Sequence, residues 1–575
     1  MEERPQQKPC ITAALLGQGG EEDLKEKLAR QTFPWFRIGE ASLPEELGEV
    51  LVLVPGEASL DNSALETLYY ALKAAPSVQA ALLPEGILGI SAAALKGRAR
   101  PLEELYEAYR KGALKLESPG SLTALPEFGP FPQWSLPGKE ESGKVGILMI
   151  LPFMVLGGAD LFNLNLLRGL DQDRFKVYVF TTYPAAHTLG QEFREAAAGV
   201  YELPVFLPPE AWPSFTRAFL ESHGISILFA SNTYYAYESL PWLRETLPEL
   251  RVVDYVHGEF PWRGGAYART SALFDPWLDR TYVCNRHTQK RLGEAYGKPE
   301  EKVETLYIGV DHERFNPEKI SRGTFRKELG IPAEKKLILL PCRMEGEKRP
   351  LLFLEIAAAI KSQRGEDYVF AAVGEGSFLP AMREKAIALG LGDSLILAGM
   401  RRDMPQVYRD AQATVICSLT EGLSLTAYES LAMGVPCITA DVGGQKELVD
   451  GETGAVIPCS GMDPAPVWEV EAYAEAILTL TRDRKVWKEA SLACRRKILE
   501  GFTQEAMIRS FEAIFLNPPE KAPCPRLGTV GEELLTQALR GEVLEWSLEE
   551  MRKAREGSLP QRLKQLLKRI AGRKA

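Results

Sequence analysis

The chain has 575 residues, 45% hydrophobic and 25% charged, which is too long for one hydrophobic core and ordinary for a globular protein. Its formal net charge of −10 argues against a nucleic-acid binder, because affinity for a phosphate backbone requires a basic surface. The 8 cysteines are scattered with no CxxC pair, several of them inside apolar runs such as ATVICSL, a pattern of reduced thiols in a cytoplasmic protein rather than a disulfide framework or zinc site.

Residues 1–120 read as a small α/β unit. A strand CITAALL precedes a polar helix from Glu21 to Arg30, an apolar run EVLVLV, a helix DNSALETLYYALKAA and a further run VQAALL. The charged start MEERPQQKPC predicts no secretory signal, and no stretch is apolar for long enough to predict a membrane span. Residues 121–143 are rich in Pro and Gly, follow neither helical nor strand period, and read as a linker.

From Lys144 the pattern alternates strictly. Apolar, β-rich runs (KVGILMIL, FKVYVFTT, ISILFASN, RVVDYVHG, RTYVCNR) are separated by segments of helical spacing, and fully apolar strands between helices predict a parallel sheet covered on both faces. After DHERFNPEKISRG the alternation restarts with KKLILLPCR, DYVFAAVGEG, SLILAGM, ATVICSL, PCITAD and TGAVIP. This predicts two doubly wound Rossmann-like domains, residues 144–320 and 321–518, with ligands expected beyond the carboxyl ends of their strands, in the cleft between them. VEAYAEAILTLTRD, KVWKEASLACRRKILEGF and TQEAMIRSFEAIFL predict closing helices. Residues 519–575 form a charged tail ending in QRLKQLLKRIAGRKA, with six basic and no acidic residues and Leu563, Leu566, Leu567 and Ile570 on one helical face. Such a segment can lie on an anionic membrane surface or pack on its own domain with a basic end in solvent.

The segment Ser418–Pro458 carries the most chemistry. It leaves an apolar strand, turns through Glu421, Gly422 and Leu423, and enters a helix whose first turn holds Ser424, Leu425 and Thr426. A glycine ahead of a helix lets a ligand approach the backbone, and the free amides beside the positive helix end suit a diphosphate. Glu429, one turn further on, can accept from two vicinal ribose hydroxyls, and Glu421 can hold hydroxyls of a second sugar. On spacing alone, both could equally be solvated glutamates at a helix end.

Glu421, seven residues, Glu429, the helix end Ala432-Met433-Gly434-Val435-Pro436, then Asp441-Val442-Gly443-Gly444 and Glu447 resemble the signature of glycosyltransferase family 4. That resemblance implies a retaining, metal-independent hexosyltransferase of the GT-B type. Its fold is α/β, with two doubly wound Rossmann-like domains facing a cleft; here it carries a small N-terminal α/β unit and a helical C-terminal tail. CRMEGEKRP is similar to the family segment whose Arg and Lys, here Arg343 and Lys348, clamp the donor diphosphate and neutralise the leaving group in place of a metal ion. VGEGS, with Gly374, resembles the turn bordering the donor, and AGM, with Met400, the segment meeting the nucleobase; each could instead be an ordinary tight turn. MVLGGADLF resembles the glycine-rich loop whose Gly157 and Gly158 sit against donor phosphates or acceptor, with Asp160 where the family often has Glu. DYVHGEF places His257 where family members carry a His facing the donor hexose, although a strand-end His satisfied by backbone fits the residues too. YIGVDHERFNP resembles the hinge between the domains.

The resemblance therefore implies Glu421, Arg343, Lys348 and His257 as catalytic residues, and Glu429, Gly422, Leu423, Ser424, Gly157, Gly158, Gly374 and Met400 as donor-binding. It implies a UDP- or GDP-linked donor, no cofactor and no metal, a glycan, lipid-linked or protein acceptor, and a cytoplasmic protein, peripheral at the membrane if the basic tail binds there. The other function open to the sequence is a non-catalytic, nucleotide-sugar-binding partner subunit. LKEKLARQTFPWFRI and the run EVLVLVPGEA resemble a worn copy of glycosyltransferase family 2. The metal-holding Asp-x-Asp of that family is replaced by Val54-Pro55-Gly56-Glu57, so the unit is expected to be inert and to serve packing or acceptor docking.

Overall fold

The computed structural model describes residues 143–525 apart from 208 and 260–265, and, before them, residues 11–16, 36–38, 50–55, 63–74, 79–83, 87–91, 95, 106–108, 110 and 114–115. The expected helix Glu21–Arg30, Gln31 to Pro34 of the run LKEKLARQTFPWFRI, Gly56 and Glu57, residues 121–142 of the linker and the basic tail beyond residue 525 lie outside the described residues. The chain forms two compact units: residues up to Leu156 with Gln172–Arg251 and Pro523 onward, and Gly157–Asp171 with Val252–Ala522.

In the first unit, the N-terminal strands β1 (Ile11–Leu16), β2 (Phe36–Ile38), β3 (Val50–Pro55), β4 (Ala80–Leu82), β5 (Leu88–Ser91) and β6 (Leu114–Lys115) form one sheet in the order β2-β1-β3-β5-β4-β6. β5 runs antiparallel to both neighbours and was not expected, because ILGIS lacks the length and turn signals that mark a strand. Helix α1 (Ala64–Ala74) carries the fully buried Glu66, whose carboxylate accepts from the hydroxyls of Tyr70 and Tyr201 and lies 2.8 Å from His223 Nε2. Ser63 Oγ donates to the Val200 carbonyl at 2.9 Å. A buried carboxylate is tolerated only when its lone pairs are satisfied, so these partners fix the N-terminal sheet onto the neighbouring strands.

Those neighbours are β7 (Val145–Leu151), β8 (Phe175–Thr181), β9 (Gly199–Glu202) and β10 (Ile225–Ser231), parallel and ordered β10-β7-β8-β9. The sequence pattern did not mark the short β9. In the second unit, β11 (Arg251–Val256), β12 (Arg280–Val283) and β13 (Val303–Thr305) are parallel in that order. The strands of the first Rossmann-like domain are thus divided between the two units.

The other sheet lies wholly in the second unit. β14 (Lys336–Pro341), β15 (Tyr368–Val373), β16 (Leu395–Leu397), β17 (Ala413–Ile416), β18 (Cys437–Ala440) and β19 (Gly454–Ile457) are all parallel. Their order, β16-β15-β14-β17-β18-β19, is the doubly wound 3-2-1-4-5-6 arrangement. Burial explains it: β15, β17 and β18 are buried at every residue, as strands covered by helices on both faces must be. The chain reverses its order between β14 and β17, the point at which doubly wound sheets open a crevice beyond the carboxyl ends of their strands.

Seven helices of this unit position the site: α2 (Gly158–Gly169), α3 (Arg286–Tyr296), α4 (Pro350–Arg364), α5 (Leu425–Ala432), α6 (Val467–Arg482), α7 (Arg484–Gly501) and α8 (Gln504–Leu516). Asn285 caps α3 by accepting from Thr288 N at 2.7 Å, and left-handed Gly297 ends it. Among the described residues no helix is long and apolar enough to cross a membrane.

Candidate active site

The crevice at the β14/β17 reversal is lined by two strand-end segments, residues 342–349 after β14 and 417–424 after β17. Lys348 Nζ lies 2.6 Å from Glu421 Oε1, and Ser418 Oγ donates to the same oxygen at 2.7 Å. The side chains are 18% and 12% exposed, so the pair is largely withdrawn from water. Burial alone would lower the Lys348 pKa, but the charge of Glu421 and its hydrogen bond outweigh that and hold the ammonium above its ordinary value.

Arg349 sets this turn, a role the sequence did not reveal. It adopts a left-handed backbone (φ 46) and is fully buried, as is its ion-pair partner Glu469 on α6, 2.7 Å away. Its Nε donates to the Cys417 carbonyl at 2.6 Å, tying the Lys348 turn to the strand end that leads to Glu421. Only tertiary packing distinguishes Arg349 from its neighbour Lys348 in the basic run.

Arg343 follows β14 as expected, but its guanidinium is 63% exposed and pairs with Glu347 at 2.9 Å, not with the Lys348–Glu421 pair. An exposed pair contributes about 0–1 kcal/mol, so exchanging Glu347 for an anion costs little. The turn after β15 packs a shelf of glycines against the segment that follows β14. A Cβ on Gly374 would stand 2.0 Å from the Cys342 carbonyl, and one on Gly376 2.4 Å from that of Met344. Gly374 N donates to Gly399 O at 2.8 Å, so the turns holding Gly374 and Met400 are joined. The Met400 side chain is exposed.

On the other side, Gly422 packs so closely against the end of β11 that a Cβ there would lie 1.9 Å from the His257 carbonyl. Gly258 meets Gly422 Cα in the same way, and Gly158 at the start of α2 faces Leu425 at the start of α5. Gly157 is the cap residue of α2, and a Cβ on it would stand 3.1 Å from Asp160 Oδ2. The structure therefore brings Gly158, His257, Glu421, Gly422, Leu423, Ser424 and Lys348 into one neighbourhood. Gly422→Ala is expected to cost about 1–3 kcal/mol, as overpacking does, read as a lower Tm; a variant melting with its parent would mean that these segments do not touch.

His257 rests against Phe162 and Tyr255, and burial pushes its imidazolium down to about 3, leaving a neutral ring at any working pH. Helix α5 starts at Leu425, one residue later than expected, with Ser424 as its cap residue. The Ser424 amide is not free for a ligand, because it donates to Gln445 Oε1 at 3.0 Å. Glu429 stands one turn into α5 and accepts from Tyr408 at 3.0 Å. Burial outweighs the Tyr408 hydrogen bond and the charge of Arg314, and its carboxyl is pushed up to about 7. Glu429 makes no hydrogen bond or ion pair with Lys348 or Glu421.

Chemically, the neighbourhood offers an ammonium beside a carboxylate, an exchangeable guanidinium, glycine turns that admit close backbone approach, and the amino end of α5. These are the parts needed to hold a phosphate group next to polyhydroxyl functions.

Comparison with known proteins bears on the family and the fold. Residues 321–493 match the family described as Glycosyl transferases group 1, and residues 156–314 match Glycosyltransferase Family 4. The chain is 27% identical over 241 residues to UDP-Gal:alpha-D-GlcNAc-diphosphoundecaprenol alpha-1,3-galactosyltransferase of Escherichia coli, which covers 41% of this chain and 59% of that protein. It is 34% identical over 223 residues to D-inositol 3-phosphate glycosyltransferase of Thermomonospora curvata, covering 36% and 49%. The chain thus spans about half to three-fifths of these relatives. Among solved structures, a glycosyltransferase from Rickettsia africae superposes with a TM-score of 0.56 at 16% identity, covering 65% of this chain and 99% of that one. Anabaena HepE in complex with UDP superposes at 0.55 and 17%, covering 65% and 99%. The fold is GT-B, two Rossmann-like α/β domains.

Proposed function

We propose that this chain is a retaining glycosyltransferase that moves a sugar from a nucleotide diphosphate donor, UDP-linked in the first instance, to a glycan or lipid-linked acceptor. The observation that carries the reading is the Lys348–Glu421 pair at the β14/β17 reversal, beside the Gly422 turn and the amino end of α5. A matched relative that acts on UDP-Gal and a diphosphoundecaprenol-linked sugar supports the donor and acceptor classes.

In this reading Lys348, with Arg343 swung from Glu347, neutralises the diphosphate as the glycosidic bond breaks. Glu421 keeps Oε1 on Lys348 and Ser418 and offers Oε2 to hydroxyls of the sugar. Glu429 accepts from the ribose hydroxyls, and the neutral ring of His257 faces the hexose. Gly157 and Gly158 bring α2 close to donor or acceptor, Gly374 borders the donor, and Met400 borders the base. No residue serves as a nucleophile: the departing phosphate oxygen takes the acceptor proton on the face from which it leaves, and the protein supplies position and charge. The N-terminal sheet, held by Glu66, acts as a packing module.

Two side-chain cations, Lys348 and Arg343, in place of a divalent ion mean that EDTA is expected to leave turnover unchanged; loss of activity restored by manganese would overturn that part. A panel of UDP-, GDP- and ADP-sugars screened by thermal shift identifies the donor, since a cognate ligand at 100 times its Kd stabilises the folded state by about 2.7 kcal/mol. Slow donor hydrolysis without acceptor distinguishes the enzyme from a binding subunit, which would bind donor and leave it intact.

A further inference from the structure

The Glu421-Gly422 turn is held from a second direction, by a loop whose anchor has been given no role so far. Left-handed Gly443 lies so close that a Cβ on it would stand 1.8 Å from the Glu421 carbonyl. Gly444 N donates to Gly422 O at 2.8 Å, and a Cβ on Gly444 would run within 2.4 Å of Asn285 Cβ. Three residues on, Glu447 reaches the amino end of α3. Its Oε2 accepts from Arg286 N at 2.9 Å and its Oε1 from His287 N at 3.0 Å, while Tyr307 Oη donates to Oε2 at 2.8 Å.

A carboxylate satisfying two open amides at the positive end of a helix, with a hydroxyl as third donor, is a strong and directional anchor. Burial, then the Glu447 carboxylate, pushes the Tyr307 phenol up to about 12, so it stays a donor throughout the working range. The anchored helix continues the same circuit. Asn285 Nδ2 donates to Cys284 Sγ at 3.0 Å, and Cys284 Sγ donates to the His257 carbonyl at 2.9 Å, the oxygen against which Gly422 packs. The donor-side turn and the His257 strand end are therefore fixed to each other through one ring of contacts, closed by Glu447.

We propose that Glu447 is a positioning residue for the transfer site: by pinning the Gly443-Gly444 loop to the amino end of α3, it holds the Glu421-Gly422 turn in register with His257. It touches neither donor nor acceptor. The proposal rests on the reading of this site as a glycosyl-transfer centre, but the anchoring it describes can be measured without turnover.

The test uses the full chain with Glu447→Gln, which keeps the shape and loses the charge and one acceptor, and with Tyr307→Phe, which removes a single donor and spares the fold. With a nucleotide sugar that the parent turns over, kcat is expected to fall about tenfold or more in Glu447→Gln, as small misplacements of reacting groups do, while UDP affinity stays within about twofold. Tyr307→Phe is expected to give a smaller loss that is not additive with the first. Without ligand, amide exchange in Glu447→Gln is expected to quicken at Arg286 and His287 and also at Gly422–Ser424. Unchanged kcat, UDP affinity falling in step with kcat, or quicker exchange confined to Arg286 and His287 would each overturn the proposal. A parent that turns over no nucleotide sugar sinks the proposed function instead, and the exchange measurement still decides the anchor.

Discussion

Lys348→Met is expected to lower turnover by about a hundredfold to a thousandfold, the loss seen when one fixed charge-stabilising donor is removed from an active site. Two effects act in the same direction. The diphosphate loses an ammonium held at the strand end by the Arg349–Cys417 contact, and Glu421, only 12% exposed, loses its ion-pair partner beside the leaving group. The second effect also costs stability, because a withdrawn carboxylate loses its charged partner and keeps only Ser418 on that oxygen. Adding Glu421→Gln to Lys348→Met is therefore expected to recover the Tm and not the kcat. Steady-state kinetics and melting of the single and double variants separate the two, and a Lys348→Met protein with kcat near that of the parent removes the central assignment.

Glu429 gives the second large effect, and its sign follows from the raised carboxyl. Its folded value of about 7 lies above the ordinary 4.5, so the native state keeps this proton longer than the unfolded chain. The stability linked to that proton is present in full below 4.5 and is lost as pH rises towards about 7. Ligand binding runs the other way. Ribose hydroxyls donating to the carboxylate favour its ionised form, so UDP is expected to bind about tenfold more tightly at pH 8 than at pH 6, with a proton released on binding near neutrality. Glu429→Gln is expected to weaken UDP binding by about one to two orders of magnitude, as loss of charge-assisted hydrogen bonds does, and to flatten the pH profile. Calorimetry in buffers of different ionisation heat reads both. A parent protein whose affinity ignores pH and which releases no proton would place the ribose elsewhere.

Much of this was legible in the chain itself. The apolar runs from KVGILMIL to TGAVIP became strands because segments buried on both faces need no polar alternation, and that is visible in one dimension. The strand ends, and with them Lys348, Glu421 and His257, were placed by the same pattern, since residues following a parallel strand emerge at its carboxyl end. Of the glycines in the runs GGADLF, VGEGS and DVGG, Gly374, Gly376 and Gly443 stand close against backbone carbonyls of other segments, while Gly158 meets only the Leu425 side chain at ordinary contact distance.

What the sequence could not specify was pairing between residues far apart along the chain. Whether Arg343 or Arg349 is buried depends on Glu469, more than a hundred residues away, and on a left-handed backbone turn. That the Ser424 amide is taken by Gln445, that Glu447 caps α3, and that Glu66 meets Tyr201 and His223 follow from how the sheets and helices pack. Local pattern records which face of an element is apolar and where the chain turns. It does not record which polar group meets which across the fold, because hydrogen bonds and ion pairs between distant segments leave no period in the sequence; only the packed structure selects them.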